Sequence, residues 1–127
     1  MISRRSLLAT AAALGACAGL GAWAPLHAEE LEEILLWPGQ PPGRGGPTGP
    51  EKIGGPGSGY GAVSNISTPR MRVYRPAQPN GSAVLVCGGG GYFRIQLWKE
   101  STPAARWLQQ QGFTVFELLY RLPNDGW

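Results

Sequence analysis

Ala83-Val84-Leu85-Val86-Cys87-Gly88-Gly89-Gly90-Gly91-Tyr92 is the stretch that decides how the chain is read. The continuous apolar run Ala83–Cys87 suits a strand buried on both faces, as in an α/β sheet. Four glycines then end it abruptly. Downstream, Ser101 or Thr102 stands ready to cap a helix over about 100–111, and Pro103 suits its first turn. Ala104, Ala105, Trp107 and Leu108 give that helix an apolar face, and Gly112 is a stop. Phe113–Leu119 reads as the next strand. Strand, glycine loop, helix, strand is a βαβ unit with parallel strands and a right-handed crossover.

Upstream, Arg70–Arg75 alternates polar and larger apolar groups, which predicts a half-buried strand stopped by Pro76. Pro79-Asn80-Gly81-Ser82 is a turn signal that predicts a hairpin between that strand and Ala83–Cys87. Leu31–Trp37 is a short apolar-acidic lead-in. The Gly/Pro-rich stretch from Pro38 to Gly59 predicts an extended surface arm without regular structure. A phosphate-loop reading of Gly54–Gly59 fails, because Tyr60-Gly61 stands where Lys-Ser/Thr is required. The expected organisation is thus an export signal over 1–28, the arm over 29–62 and an α/β unit over 63–127. Tyr120-Arg121-Leu122-Pro123 then leads into an Asn124-Asp125-Gly126 turn.

The signal is read from Arg4-Arg5, the apolar stretch Leu7–Trp23 and the small residue Ala28 ahead of Glu29-Glu30. Ser3-Arg4-Arg5-Ser6-Leu7-Leu8 resembles a twin-arginine signal, so the expected location is periplasmic or extracellular. Leu14-Gly15-Ala16-Cys17 offers lipoprotein anchoring as the competing route. The glycines and Pro25 make a stable membrane span the poorer reading. Removing 1–28 takes Arg4 and Arg5 from 11 basic residues, leaving nine against eight acidic ones and a net charge of +1. No basic patch then argues for nucleic acid. The only histidine, His27, leaves too, and Cys87 becomes the single thiol. Cys87 and scattered acids have no metal-ligand spacing, and Glu29, Glu30, Glu32 and Glu33 read as a solvated face.

The run of glycines is costly to order. A sequence keeps it where backbone must bend sharply or approach a ligand closely. Such a loop frees N–H groups from the strand ladder. Converging on one point, they form an oxyanion hole, with donors about 3 Å from the oxygen that becomes charged, each worth about 10²–10³ in rate. A plain tight turn is one alternative. A dinucleotide loop is another, although its Gly-x-Gly-x-x-Gly pattern meets Phe93 or Arg94 where the third glycine belongs. Local chemistry leaves all three open.

Further landmarks narrow the choice. Leu36-Trp37-Pro38-Gly39 with Pro42-Gly43, Val63-Ser64-Asn65 through Pro69, and Val73-Tyr74-Arg75-Pro76 come first. Cys87–Tyr92, Lys99-Glu100, Trp107-Leu108, Gly112 and Tyr120-Arg121-Leu122-Pro123 follow. From Leu36 to Pro123 the chain resembles secreted α/β-hydrolases of the acetyl esterase and carbohydrate esterase type. Cys87–Tyr92 is similar to that family's Cys-Pro-Gly-Gly-Gly-Tyr loop, with Gly88 at the proline. The resemblance implies the N-terminal part of an α/β-hydrolase sheet, in which Gly89, Gly90, Gly91 and Tyr92 supply or shape the oxyanion hole. It implies a small-molecule or carbohydrate ester as substrate, acetylated xylan included, and no cofactor.

The same family carries its nucleophile on Gly-x-Ser-x-Gly, followed by an acid and a histidine. No Gly-x-Ser-x-Gly occurs in the chain, so the expectation is a fragment that is inactive alone. A small non-catalytic exported binding protein is the alternative. One helix covers one sheet face only. Val84, Val86, Val115 and Phe116 are therefore expected to be exposed, with aggregation or loose folding as the result.

Overall fold

A computed structural model describes residues 31–54 and 59–127. The expected export signal, with Arg4, Arg5, Cys17 and His27, lies outside the described residues, as do Glu29, Glu30 and the 55–58 part of the arm.

Among the described residues, seven strands form two sheets. They are β1 (Glu32–Leu35), β2 (Lys52–Ile53), β3 (Ala62–Ser64), β4 (Arg70–Tyr74), β5 (Ala83–Cys87), β6 (Ile95–Gln96) and β7 (Thr114–Leu119). The larger sheet runs β1-β4-β7-β5, and the smaller β2-β3-β6. A π-helical turn, Leu97–Ser101, leads straight into the helix α1, Thr102–Gln110.

The predicted βαβ unit is present. β5 and β7 pair in parallel, with Ala83 beside Thr114 and Cys87 beside Leu118, and α1 joins them. Gly112 ends α1 at φ 89°. Its N–H donates to the Gln109 carbonyl and that of Phe113 to the Leu108 carbonyl, the paired bonds of a Schellman stop.

The predicted hairpin is not formed. β7 lies between β4 and β5, antiparallel to the first and parallel to the second. The Asn80-Gly81 turn closes against the end of α1 instead: Asn80 N donates to the Gly112 carbonyl at 2.8 Å and Asn80 Nδ2 to that of Gln111 at 3.2 Å. A tight hairpin joins neighbours, whereas the connection Arg75–Ser82 is long enough to step across one strand, about 4.8 Å per step.

One further expectation is corrected at the arm, and the lead-in gains a structure that its composition did not specify. The lead-in is a strand, β1, antiparallel to β4 with Glu32 opposite Val73 and Leu35 opposite Arg70. Cross-strand charge pairs select it: Arg70 Nε meets Glu33 Oε2 and Arg75 Nε meets Glu32 Oε2, both at 2.8 Å. Burial pulls the Glu33 carboxyl upward, but its hydrogen bonds from Arg70 and Arg72 outweigh this and hold it below the usual range. Lys52-Ile53 also forms a strand, antiparallel to β3, where composition predicts none. The arm is docked as well. The Arg121 guanidinium lies over the Trp37 ring at 5.4 Å and the Trp127 ring at 4.7 Å, and it donates to the Pro42 carbonyl.

Burial also departs from expectation. β5 is an edge strand, with Leu85 55% exposed and Val84 and Val86 half-buried towards α1. A strand is buried on both faces only when both are covered, and α1 covers one. Val115, expected at an exposed edge, is fully buried with Tyr74 and Ala105, and Phe116 is half-buried. On α1, Ala105 and Leu108 face the sheet while Trp107 is 60% exposed. A second cluster, Val63, Ile66, Ile95, Leu97, Leu119 and Leu122, ties the small sheet to the π turn and the end of β7.

Ser101 and Thr102 do not cap α1. Their hydroxyls donate to Glu117 Oε1 at 2.6 and 2.7 Å, and Tyr74 Oη donates to Glu117 Oε2 at 2.7 Å. Glu117 lies in the middle of β7 with no exposure. A buried carboxylate is tolerated only with its lone pairs occupied. Three hydroxyls, from β4, the π turn and the start of α1, perform that task.

Candidate functional site

The glycine run leaves β5 and crosses to β6. Gly88 is buried, and its carbonyl accepts from Tyr120 Oη at 2.7 Å. A Cβ at this position would lie 2.8 Å from Ile95 Cγ2 and 3.1 Å from Ser101 Oγ. Gly88 is therefore held by packing. The Gly89 carbonyl accepts from Gln96 N at 2.9 Å, and its N–H donates to Glu100 Oε2 at 3.1 Å. One of the four predicted oxyanion donors is thus bonded to a carboxylate of the π turn.

Beyond Gly89 the backbone leaves ordinary territory. Gly90 has φ 143°, Gly91 φ 67° and Tyr92 φ 65°. At Gly90 a Cβ would lie 2.2 Å from the Arg94 carbonyl oxygen, so the position takes only glycine. Tyr92 is the informative member. A bulky residue in the left-handed region costs about 1–3 kcal/mol and marks sites where strain serves a purpose. Tyr92 is 72% exposed, so core packing does not compel the conformation. The amides of Gly90, Gly91 and Tyr92 take no hydrogen-bond partner among the described residues.

Beside the loop stands Phe93, with the Arg94 guanidinium 4.9 Å from its ring centre. A groove lined by Lys52, Ile53, Phe93 and Arg94 flanks the loop on the small-sheet side, and the four glycines do not line it. Burial, and then the neighbouring Cys87, Tyr92 and Glu100 side chains, push the Tyr120 phenol upward. It therefore stays protonated and able to donate to Gly88.

One curated protein similar to this chain is an acetylxylan esterase. It comes from Xylanibacter ruminicola and is 34% identical over 62 residues, covering 49% of this chain and 13% of its own length. The chain thus spans about an eighth of that relative. The likeness supports an esterase-like relationship. No family model matches, and no solved structure matches.

The glycine run is legible in the sequence, whereas the roles of the residues that hold it are not. Glu100 and Tyr120 were visible as landmarks without a role. Glu117 carried a readable signal, a charge inside an otherwise apolar strand. Its partners come from other elements, so no local pattern names them.

Proposed function

We propose that the segment carries the oxyanion-holding loop of a serine ester hydrolase, exported from the cell and acting on acetyl esters such as those of xylan. In this reading β4, β7, β5 and α1 are the N-terminal part of an α/β-hydrolase sheet. The backbone of Gly90, Gly91 and Tyr92 receives the acyl oxygen as it becomes charged. The serine is supplied by residues outside these 127, since no Gly-x-Ser-x-Gly occurs among them, and with it the acid and histidine that follow the serine in that family's chain order. The observation that carries the reading is the left-handed Tyr92 following two positive-φ glycines. It turns successive amides out of the strand ladder, directly after a parallel strand. The likeness to an acetylxylan esterase supports the ester chemistry.

The reading is tested by expressing the gene with the sequence that follows the Trp127 codon. Acetate released from acetylated xylan and from 4-nitrophenyl acetate is compared with that from the 127-residue chain. The longer product is expected to hydrolyse both, and the chain to match buffer. The reading fails if no frame downstream encodes Gly-x-Ser-x-Gly with a later acid and histidine, or if the longer product is inert.

A further inference from the structure

We propose that Glu100 is the positioning residue of the glycine loop: its carboxylate takes the Gly89 amide and thereby leaves the acyl oxygen to the amides of Gly90, Gly91 and Tyr92. The consequence for catalysis rests on the ester-hydrolase reading, while the geometry stands without it.

In the π turn, Thr102 N donates to the Leu97 carbonyl, a bond one residue wider than in an α-helix. Each helical residue rotates by about 100°, so the extra residue re-aims every side chain of the turn. Ser101 and Thr102 then face inward to Glu117. Glu100 faces outward to Gly89 N at 3.1 Å. The buried carboxylate thus fixes the turn from inside, and the turn fixes the loop from outside. π turns recur at functional sites for this kind of re-aiming.

A run of four glycines gains little from being an oxyanion hole unless it is held still, because stabilisation of a developing charge depends on donors placed beforehand. Three bonds do the holding, from Tyr120 Oη to the Gly88 carbonyl, from Gln96 N to the Gly89 carbonyl, and from Gly89 N to Glu100. All three act on Gly88 and Gly89, and none on the next three residues. The charge on Glu100 points the same way. An acyl oxyanion placed on Gly89 N–H would sit against a carboxylate, and like charges at contact repel. The charge-assisted bond therefore removes Gly89 from the set of donors and anchors the remainder.

The clamp is tested by amide NMR of the chain labelled with ¹⁵N-glycine, in the wild type, Glu100→Ala and Glu100→Gln. Glu100 is exposed, so both variants are expected to keep the fold, with Gly112 and Gly126 amides unmoved. The Gly89 amide proton is expected to move upfield and exchange faster in Glu100→Ala, and to return part of the way in Glu100→Gln, which keeps a neutral acceptor. An unmoved Gly89 in both variants overturns the clamp, whatever the activity. In the longer, hydrolytic product, Glu100→Ala is expected to lower kcat by about 10²-fold, the effect of misplacing a catalytic group by about 1 Å, with KM nearly unchanged. Glu100→Gln should recover most of it. A kcat equal to or above wild type in Glu100→Ala overturns the positioning role. An inert wild type beside a shifted Gly89 would instead remove the hydrolase reading and the catalytic half of the proposal with it.

Discussion

In the longer product, Glu117→Ala is expected to lower the unfolding free energy by about 3 kcal/mol or more, seen as a fall in the urea midpoint at unchanged slope. The substitution strips the acceptor from Tyr74, Ser101 and Thr102. Each hydroxyl left buried without a partner costs about 1–3 kcal/mol, part of which entering water recovers. Tyr74→Phe removes one donor and leaves the carboxylate two, so its cost should be nearer about 1 kcal/mol. The network also has a signature in base. Burial first, then the hydrogen bond to Glu117 and its negative charge, push the Tyr74 phenol up to about 12. The folded state therefore favours neutral Tyr74. Its contribution is complete below the unfolded value of about 10 and is lost as pH rises through about 12. Alkaline unfolding followed by tyrosinate absorbance should begin earlier in Glu117→Ala. A urea midpoint equal to wild type would mean that the hydroxyls do not depend on the carboxylate.

Gly90→Ala is expected to lower kcat of the hydrolytic product by about 10²–10³, the worth of one oxyanion donor, while the urea midpoint moves little. At φ 143° and 2.2 Å from the Arg94 carbonyl oxygen, a methyl group at this position forces the loop to another path. The amides of Gly91 and Tyr92 move with it. The cost falls on geometry rather than on the core, since neither hydrophobic cluster includes residues 88–93. Gly39→Ala is the matched control, with no positive φ and nothing within 4 Å of the added carbon. Equal kcat in both variants would remove the loop from the chemistry.

Much of the larger sheet was readable because its signals are local. The apolar Ala83–Cys87 run, the Gly112 stop and the apolar Thr114–Leu119 segment name a strand, a helix end and a strand without outside help. Partner choice was not readable. Asn80-Gly81 announces a turn but says nothing of which strand follows in space, and β7, from further along the chain, takes the place beside β4. β1 was hidden for a similar reason: Glu32 and Glu33 look solvated until Arg70, Arg72 and Arg75 are set across from them. Ser101 and Thr102 misled because the hydroxyls that cap helices also satisfy carboxylates. At the site, the glycines were legible as a run. The left-handed Tyr92 and the Glu100 contact depend on how the loop closes on β6 and the π turn, which composition does not encode.

Where the acyl oxygen sits is tested most directly by a crystal structure of the longer product inhibited by an acyl-mimicking phosphonate. The phosphonyl oxygen is expected about 3 Å from the amide nitrogens of Gly90, Gly91 or Tyr92, with Gly89 still bonded to Glu100. A phosphonyl oxygen held by other groups, with those amides turned away from it, would contradict the oxyanion-loop assignment.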